Sequence, residues 1–183
     1  MTPQQIYEEH GFLVLNNFVP RPFADYLKEV LNTLRTKDKL EDTGRSLRVY
    51  GDPAFDALAA MSAPMLSSVI GKTLTPTYTS AKIYLNDADL LPHLDKEDCK
   101  HTVTLFLGGD YTHIWPIWMK KPDKHQTPEL CALSEGDAVI YRGSEVHHWR
   151  DHFEGSEYFQ LSMHYTDNET GETKQDDGHT GDQ

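Results

Sequence analysis

Cysteine is scarce in this chain. Only Cys99 and Cys131 occur among 183 residues, so at most one bridge can form, and free thiols in a reducing compartment are the simpler expectation. Positive charge is short as well: 17 Lys and Arg stand against 29 Asp and Glu, a formal net charge of -12. That balance repels nucleic-acid phosphates and anionic membranes, and no local basic patch offsets it. No stretch reads as long and apolar enough to span a membrane. The opening MTPQQIYEEHGF has neither the basic start nor the apolar run of a signal peptide. The expectation is a cytoplasmic protein with no nucleic-acid or membrane partner. Near the other end, TDNETGETKQDDGHTGDQ has no apolar residue to bury from Thr166 onward, so an acidic disordered tail is expected over 167–183. The remaining 1–166 is long enough for one domain with a real core and short for two.

What is present falls into two halves. Pro3 to His10 reads as a short helix stopped by Gly11, followed by a strand in FLVLNNF. Pro22 opens a second helix, in which Phe23, Tyr26, Leu27, Val30, Leu31 and Leu34 keep the three-four spacing of one apolar face. KDKLEDTGRSLRVYGD is polar and glycine-punctuated and reads as a loop. A further helix runs from Phe55 to Ile70 with Gly71 as its C-terminal cap. After Gly71 come short segments rich in Val, Ile, Thr, Tyr and Phe: TYTSAKIYL, HTVTLFLG, ELCALSEGDAVIYRG, VHHWRDHF and YFQLSMHY. Front helices followed by a run of strands predict a mainly β fold, a sandwich or barrel braced by helices, with its core from about residue 72.

Chemistry-bearing residues gather in that second half. His93-Leu94-Asp95 puts an imidazole two positions before a carboxylate, a weak motif on its own. In strand alternation Lys82 and Tyr84 share a face, and so do Thr102, Thr104 and Phe106. If VHHWRDHF is extended, His148 and Arg150 point to one side, His147 and Trp149 to the other. A metal ligand beside a cation suits a chelated dicarboxylate; a surface histidine pair near an acidic turn explains the same residues. Trp115, Trp118 and Tyr141 offer aromatic surface for a substrate cleft or for packing. His113 and His125 read as surface residues, and His101 and His164 as core or rim histidines able to support ligands from behind.

Together His93-x-Asp95, the GDAVIYRG strand and HHWRDHFEG…QLSMHY resemble the iron(II)- and 2-oxoglutarate-dependent dioxygenases, in their prolyl-4-hydroxylase-like branch, closest to its small uncharacterised members. YEEHGFLVLNNFVP resembles the usual opening of that branch and YTSAKIY the strand before its metal motif. The resemblance implies a double-stranded β-helix, the cupin-like jelly-roll, with a metal at its mouth. It implies iron(II) held by His93, Asp95 and a histidine of the 147–148 pair; His148, which shares a face with Arg150, is preferred over His147. It also implies 2-oxoglutarate and dioxygen as co-substrates, and a hydroxylase that releases succinate and carbon dioxide. An intact Asp95 favours hydroxylation over halogenation.

The chain departs from the branch in one place. Relatives follow the distal histidine with Gly-x-Lys or Gly-x-Arg, whose cation holds the far carboxylate of 2-oxoglutarate; here Gly155-Ser156 leads to Glu157. Arg150 is the first expected replacement, Lys82 the second and Arg142 the third, with Tyr84 donating a hydrogen bond and Thr104 assisting. The expected substrate is a peptide residue, an amino acid or another small molecule, with walls from residues 37–52 and 110–127. A cupin-like metal or small-molecule binding protein without turnover is the alternative.

Overall fold

The computed structural model describes residues 1–121 and 127–167. His125 and the tail beyond Asp167 therefore lie outside the described residues. Three helices come first in the architecture: α1 (Pro3–His10), α2 (Arg21–Thr36) and α3 (Pro53–Ile70). The ends of α1 and α3 have local reasons. Thr2 and Gln5 form a reciprocal capping box at the start of α1, and Asp52 caps α3 through the Ala54 amide. Gly11 and Gly71 close the two helices at φ 80° and 72°, a left-handed turn that glycine enters without a steric penalty.

The strands are β1 (Phe12–Leu15), β2 (Glu41–Asp42), β3 (Ser46–Tyr50), β4 (Leu74–Leu85), β5 (Leu90–His93), β6 (His101–Tyr111), β7 (Ile117–Lys120), β8 (Glu129–Cys131), β9 (Ala138–Tyr141), β10 (His147–Arg150) and β11 (Gly155–Asp167). They form a seven-stranded sheet in the order β1-β9-β6-β11-β4-β3-β2 and a four-stranded sheet in the order β5-β10-β7-β8. Every pairing described is antiparallel. The result is the double-stranded β-helix that the resemblance implies, where the run of short strands alone predicts a sandwich or barrel.

Alternation along β11 shows how the two layers are built. Phe159, Leu161, Met163 and Tyr165 join the core that the large sheet shares with the helices, where Leu27, Leu31, Phe55 and Leu66 are buried. Tyr158 faces the other way, into a second core between the sheets with Phe106, Trp115 and Phe153. Gln160, Ser162 and His164 lie on that same inward face but border a cavity. Apolar packing thus fills one end of the space between the sheets, and the other end stays polar and open.

Three expectations need correction. The polar segment expected as a loop contains β2 and β3, and β3 extends the large sheet by pairing Arg48 with Lys82 and Leu47 with Ile83. Asp167, expected in the tail, belongs to β11. Asp167 pairs with Leu74 and draws Lys72 (2.8 Å), Lys100 (2.9 Å) and His101 (3.4 Å) to its carboxylate. Ladder bonds and ion pairs help to hold both segments, and in β3 Leu47 and Val49 also pack against the core. Finally, α3 is long and apolar enough by length and composition to cross a membrane, contrary to the reading that no stretch is. Here it buries Phe55, Leu58, Ala59, Leu66 and Ile70 in the core beside the large sheet.

Candidate metal centre

His93 ends β5 and His148 lies on β10, directly opposite it in the strand pairing. Their rings stand 4.2 Å apart, centroid to centroid. The His93 Nδ1 is 2.8 Å from the Leu91 carbonyl and the His148 Nδ1 is 3.0 Å from the Val146 carbonyl. A carbonyl only accepts, so both Nδ1 atoms carry the proton and donate. Both Nε2 atoms are left with lone pairs. These lone pairs converge on Asp95, whose Oδ1 is 3.8 Å from the Nε2 of His93 and 3.5 Å from that of His148. One ligand atom from each of the three residues lies within 4.8 Å of the others.

Asp95 is placed by backbone rather than by its neighbours in sequence. Its amide donates to the Gly143 carbonyl (2.8 Å), and the Gly143 amide donates to the Lys100 carbonyl (3.1 Å). A Cβ on Gly143 would sit 2.5 Å from the Asp95 Oδ2 and 2.6 Å from the Cys99 carbonyl. Gly143 reads from sequence as a turn glycine; its role is to let the carboxylate approach the chain. Burial works to raise the Asp95 carboxyl, but the His148 ring, in its protonated form, and the Thr102 hydroxyl outweigh it and hold the group at about 2 in the metal-free site. Burial, reinforced by the neighbouring His148, pushes the His93 imidazole below its ordinary range. A carboxylate oxygen and two imidazole nitrogens on one side of a point form the 2-His-1-carboxylate donor set suited to iron(II), with open positions remaining.

Beside this triad lies a cavity of about 130 Å³ between the two sheets. That is room for a small organic acid rather than a drug-sized ligand. Lys82 enters its wall from β4, its ammonium 5.6 Å above the Tyr84 ring. Lys82 makes no ion pair among the described residues. The Tyr84 hydroxyl and the Ser80 hydroxyl also line this space, and both are buried without a hydrogen-bond partner. Buried polar groups are normally satisfied, so two orphaned hydroxyls beside a free ammonium mark a place that an anion would complete. Thr104 lines the cavity too, its hydroxyl 3.3 Å from that of Tyr141, and Tyr141 packs against His148 at 4.6 Å between ring centroids.

The other expected residues are elsewhere. Arg150 shares the buried face of β10 with His148 but does not line the cavity. Its guanidinium lies between the rings of Trp115 (4.7 Å) and Tyr158 (4.8 Å). It donates to the Trp115 carbonyl, to the Tyr158 hydroxyl (3.2 Å) and to the Gln160 carboxamide oxygen (3.1 Å). Arg150 therefore reaches the cavity only through Gln160, and the anchoring role expected of it does not fit its position. Arg142 does not line the cavity; it pairs with Glu145 at 3.1 Å and covers the Tyr7 ring. Glu157 faces α2 and pairs with Arg35. His147 is no part of the three-residue cluster. Trp115 is buried in the Arg150 cage, and Trp118 stacks on Trp149 and donates to Asp151 (2.7 Å), so neither tryptophan lines the cavity. His113 is exposed and near Glu154. His101 is buried, 2.6 Å from the Tyr7 hydroxyl and away from the cavity.

Several further residues line the cavity. Tyr50 and Tyr78 stand at the mouth with ring centroids 6.2 Å apart, and Tyr78 stacks on His164 at 4.3 Å. Tyr50 sits in the polar segment expected as a loop. Tyr78, though inside a strand signal, carried no motif.

A double-stranded β-helix with a His-Asp-His facial triad at its open end is the framework of the 2-oxoglutarate- and iron(II)-dependent oxygenase superfamily, and this chain has that fold. Solved structures share the fold. A prolyl-4-hydroxylase from Pseudomonas putida superposes with a TM-score of 0.72 at 17% identity, over 90% of this chain and 96% of that one. HygX from Streptomyces hygroscopicus, solved with nickel and 2-oxoglutarate, gives 0.70 at 13% identity over 88% and 84%. A prolyl hydroxylase from Trichoplax adhaerens, in complex with a hypoxia-inducible-factor degradation-domain peptide, gives 0.70 at 14% over 91% and 88%. No family model matches the sequence, and no curated protein matches it either.

Proposed function

We propose that this chain is an iron(II)- and 2-oxoglutarate-dependent oxygenase that hydroxylates a carbon of a peptide residue or an amino acid, releasing succinate and carbon dioxide. The observation that carries the reading is one juxtaposition. Three converging lone-pair donors, on His93, Asp95 and His148, open onto a cavity whose wall holds an unpaired ammonium and two unsatisfied hydroxyls. Iron(II) bound there supplies the one-electron chemistry by which dioxygen and 2-oxoglutarate together oxidise a C–H bond.

The protein's own contribution is positioning. His93 and His148 present their Nε2 atoms and Asp95 its Oδ1. Lys82 takes the far carboxylate of the co-substrate, with the Tyr84 hydroxyl donating to the same group. Ser80 and Thr104 complete the polar wall. Arg150 holds the Gln160 carboxamide still, and Gln160 in turn donates to Ser162 (3.2 Å). With the cation on β4, Glu157 on β11 is no obstacle to the reading, because it faces away from the cavity. The prolyl hydroxylases among the similar structures, and the exposed Tyr50 and Tyr78 at the mouth, favour a peptide or amino-acid substrate received against aromatic surface.

The test is to incubate the iron-loaded chain with 2-oxoglutarate and separate pools of peptides, amino acids, other metabolites and oligonucleotides. Succinate release and a mass gain of one oxygen are followed. Turnover confined to peptides or amino acids is expected. Turnover confined to another pool would overturn the substrate class, and none with any pool would overturn the hydroxylase reading.

A further inference from the structure

Asp95 uses its two oxygens differently. Oδ1 faces the imidazoles, while Oδ2 accepts a 2.7 Å hydrogen bond from the Thr102 hydroxyl. Thr102 lies on β6, paired in register with His164 on β11, and its oxygen is 3.0 Å from the His164 Nδ1. A hydroxyl has one hydrogen. The ionised Asp95 claims it, so the Thr102 oxygen must accept, and His164 must carry its proton on Nδ1. The direction of the whole chain is thereby fixed: His164 Nδ1–H to Thr102 Oγ1, then Thr102 Oγ1–H to Asp95 Oδ2.

His164 is itself held. It is buried, and Tyr78 lies nearly flat on its ring at 27° with centroids 4.3 Å apart. The Tyr78 hydroxyl is tied in turn to the Cys99 sulfur at 3.3 Å. Thr102 is fully buried, so its hydroxyl has no water to turn toward.

We propose that Thr102 and His164 are positioning residues that set the rotation of the Asp95 carboxylate, dedicating Oδ2 to the protein and Oδ1 to the metal as a single-oxygen ligand. The proposal rests on the metal-binding reading above. Without the Thr102 donor, the carboxylate is free to rotate and its second oxygen competes for the same face. Without His164, the Thr102 hydroxyl loses its orienting donor.

Cobalt(II) serves as the probe, titrated into the full-length chain with affinity and visible absorption recorded. Thr102→Val preserves shape and removes the hydroxyl, and affinity is expected to fall about ten- to a hundred-fold, the usual cost of losing a group that orients a metal ligand. Thr102→Ser is expected to restore affinity and spectrum together, which a purely structural role would not require. His164→Leu is expected to weaken binding in the parent chain and to add little in Thr102→Val, because one chain of bonds cannot be broken twice. Parent-like affinity and spectrum in a folded Thr102→Val, or fully additive losses in the double variant, would overturn the proposal. A parent chain that binds no cobalt would fail at the earlier step, the metal centre itself.

Discussion

His148 sits opposite His93 across the β5–β10 pair, and each ring donates its Nδ1 proton to the carbonyl two residues before it. The same local device on two strands aims both Nε2 lone pairs at Asp95. His147 lies outside this arrangement, since neighbouring strand residues point to opposite faces. His148→Ala is therefore expected to abolish iron(II) binding while the fold survives, and His147→Ala to leave it within about twofold, roughly 0.4 kcal/mol. Calorimetric titration of the two variants decides the assignment, and the reverse pattern would move the ligand by one residue.

Lys82 is expected to govern the co-substrate. A charge-assisted hydrogen bond contributes about 1.5 to 3 kcal/mol, so Lys82→Ala should raise the 2-oxoglutarate requirement roughly ten- to a hundred-fold. Iron(II) affinity should barely move, because Lys82 is no metal ligand. Equal loss of both would show that the residue acts on the triad rather than on the anion.

Arg150 is expected to behave as a strut. Arg150→Met leaves the Tyr158 hydroxyl and the Gln160 carboxamide without their donor and empties the cage between two rings, a cost of order 3 kcal/mol. For a domain of this size the thermal midpoint should fall by about 6 to 12 °C. A variant of unchanged stability whose 2-oxoglutarate requirement rises steeply would restore the anchoring role to this residue.

Acid should destabilise the metal-free protein in a defined window. Burial holds the His164 imidazole down at about 4, against an ordinary value of 6.5. Between those values the unfolded chain binds more protons than the folded one, so stability falls as pH drops from 6.5 toward 4, by on the order of 3 kcal/mol from this group. Asp95, held at about 2 against 3.8, adds a further loss only below about pH 4. Thermal midpoints in the presence of chelator should show the upper window shrink in His164→Gln. An unchanged profile would mean that another group dominates it.

Gly143 should tolerate nothing larger. Gly143→Ala drives a Cβ into the Asp95 carboxylate and the Cys99 carbonyl, and overpacking of this kind costs about 1 to 3 kcal/mol. Weaker metal binding and a lower midpoint are both expected, and parent-like binding would show that Asp95 does not depend on this close approach.

Much of the site was legible because its parts are local. His93 and Asp95 are two residues apart, and alternation alone puts His148 and Arg150 on one buried face. Alternation reports the face and not the depth. Two residues along a strand is about 6.6 Å, enough to carry Arg150 past the cavity into the Trp115–Tyr158 cage. Thr102 and His164 were visible only as a polar strand residue and a core or rim histidine, because their partnership depends on the β6–β11 register across 62 positions of sequence. The β2–β3 segment reads as polar because charged residues surround its few apolar ones; Arg48 and Glu41 pair across it at 2.8 Å, while Leu47 and Val49 pack against the core. The helices were the easiest to read, since capping residues and glycines mark the ends of α1 and α3 and the three-four apolar spacing marks α2.

The central claim is that His93, Asp95 and His148 hold iron(II) and that 2-oxoglutarate is received on that metal beside Lys82. The most direct measurement is anaerobic calorimetry of the full-length chain with iron(II), with 2-oxoglutarate, and with both. One iron(II) per chain is expected, with 2-oxoglutarate binding tightly only when the metal is present and both signals lost in Asp95→Ala. Failure to bind iron(II), or undiminished binding of metal and co-substrate in Asp95→Ala, would contradict the account.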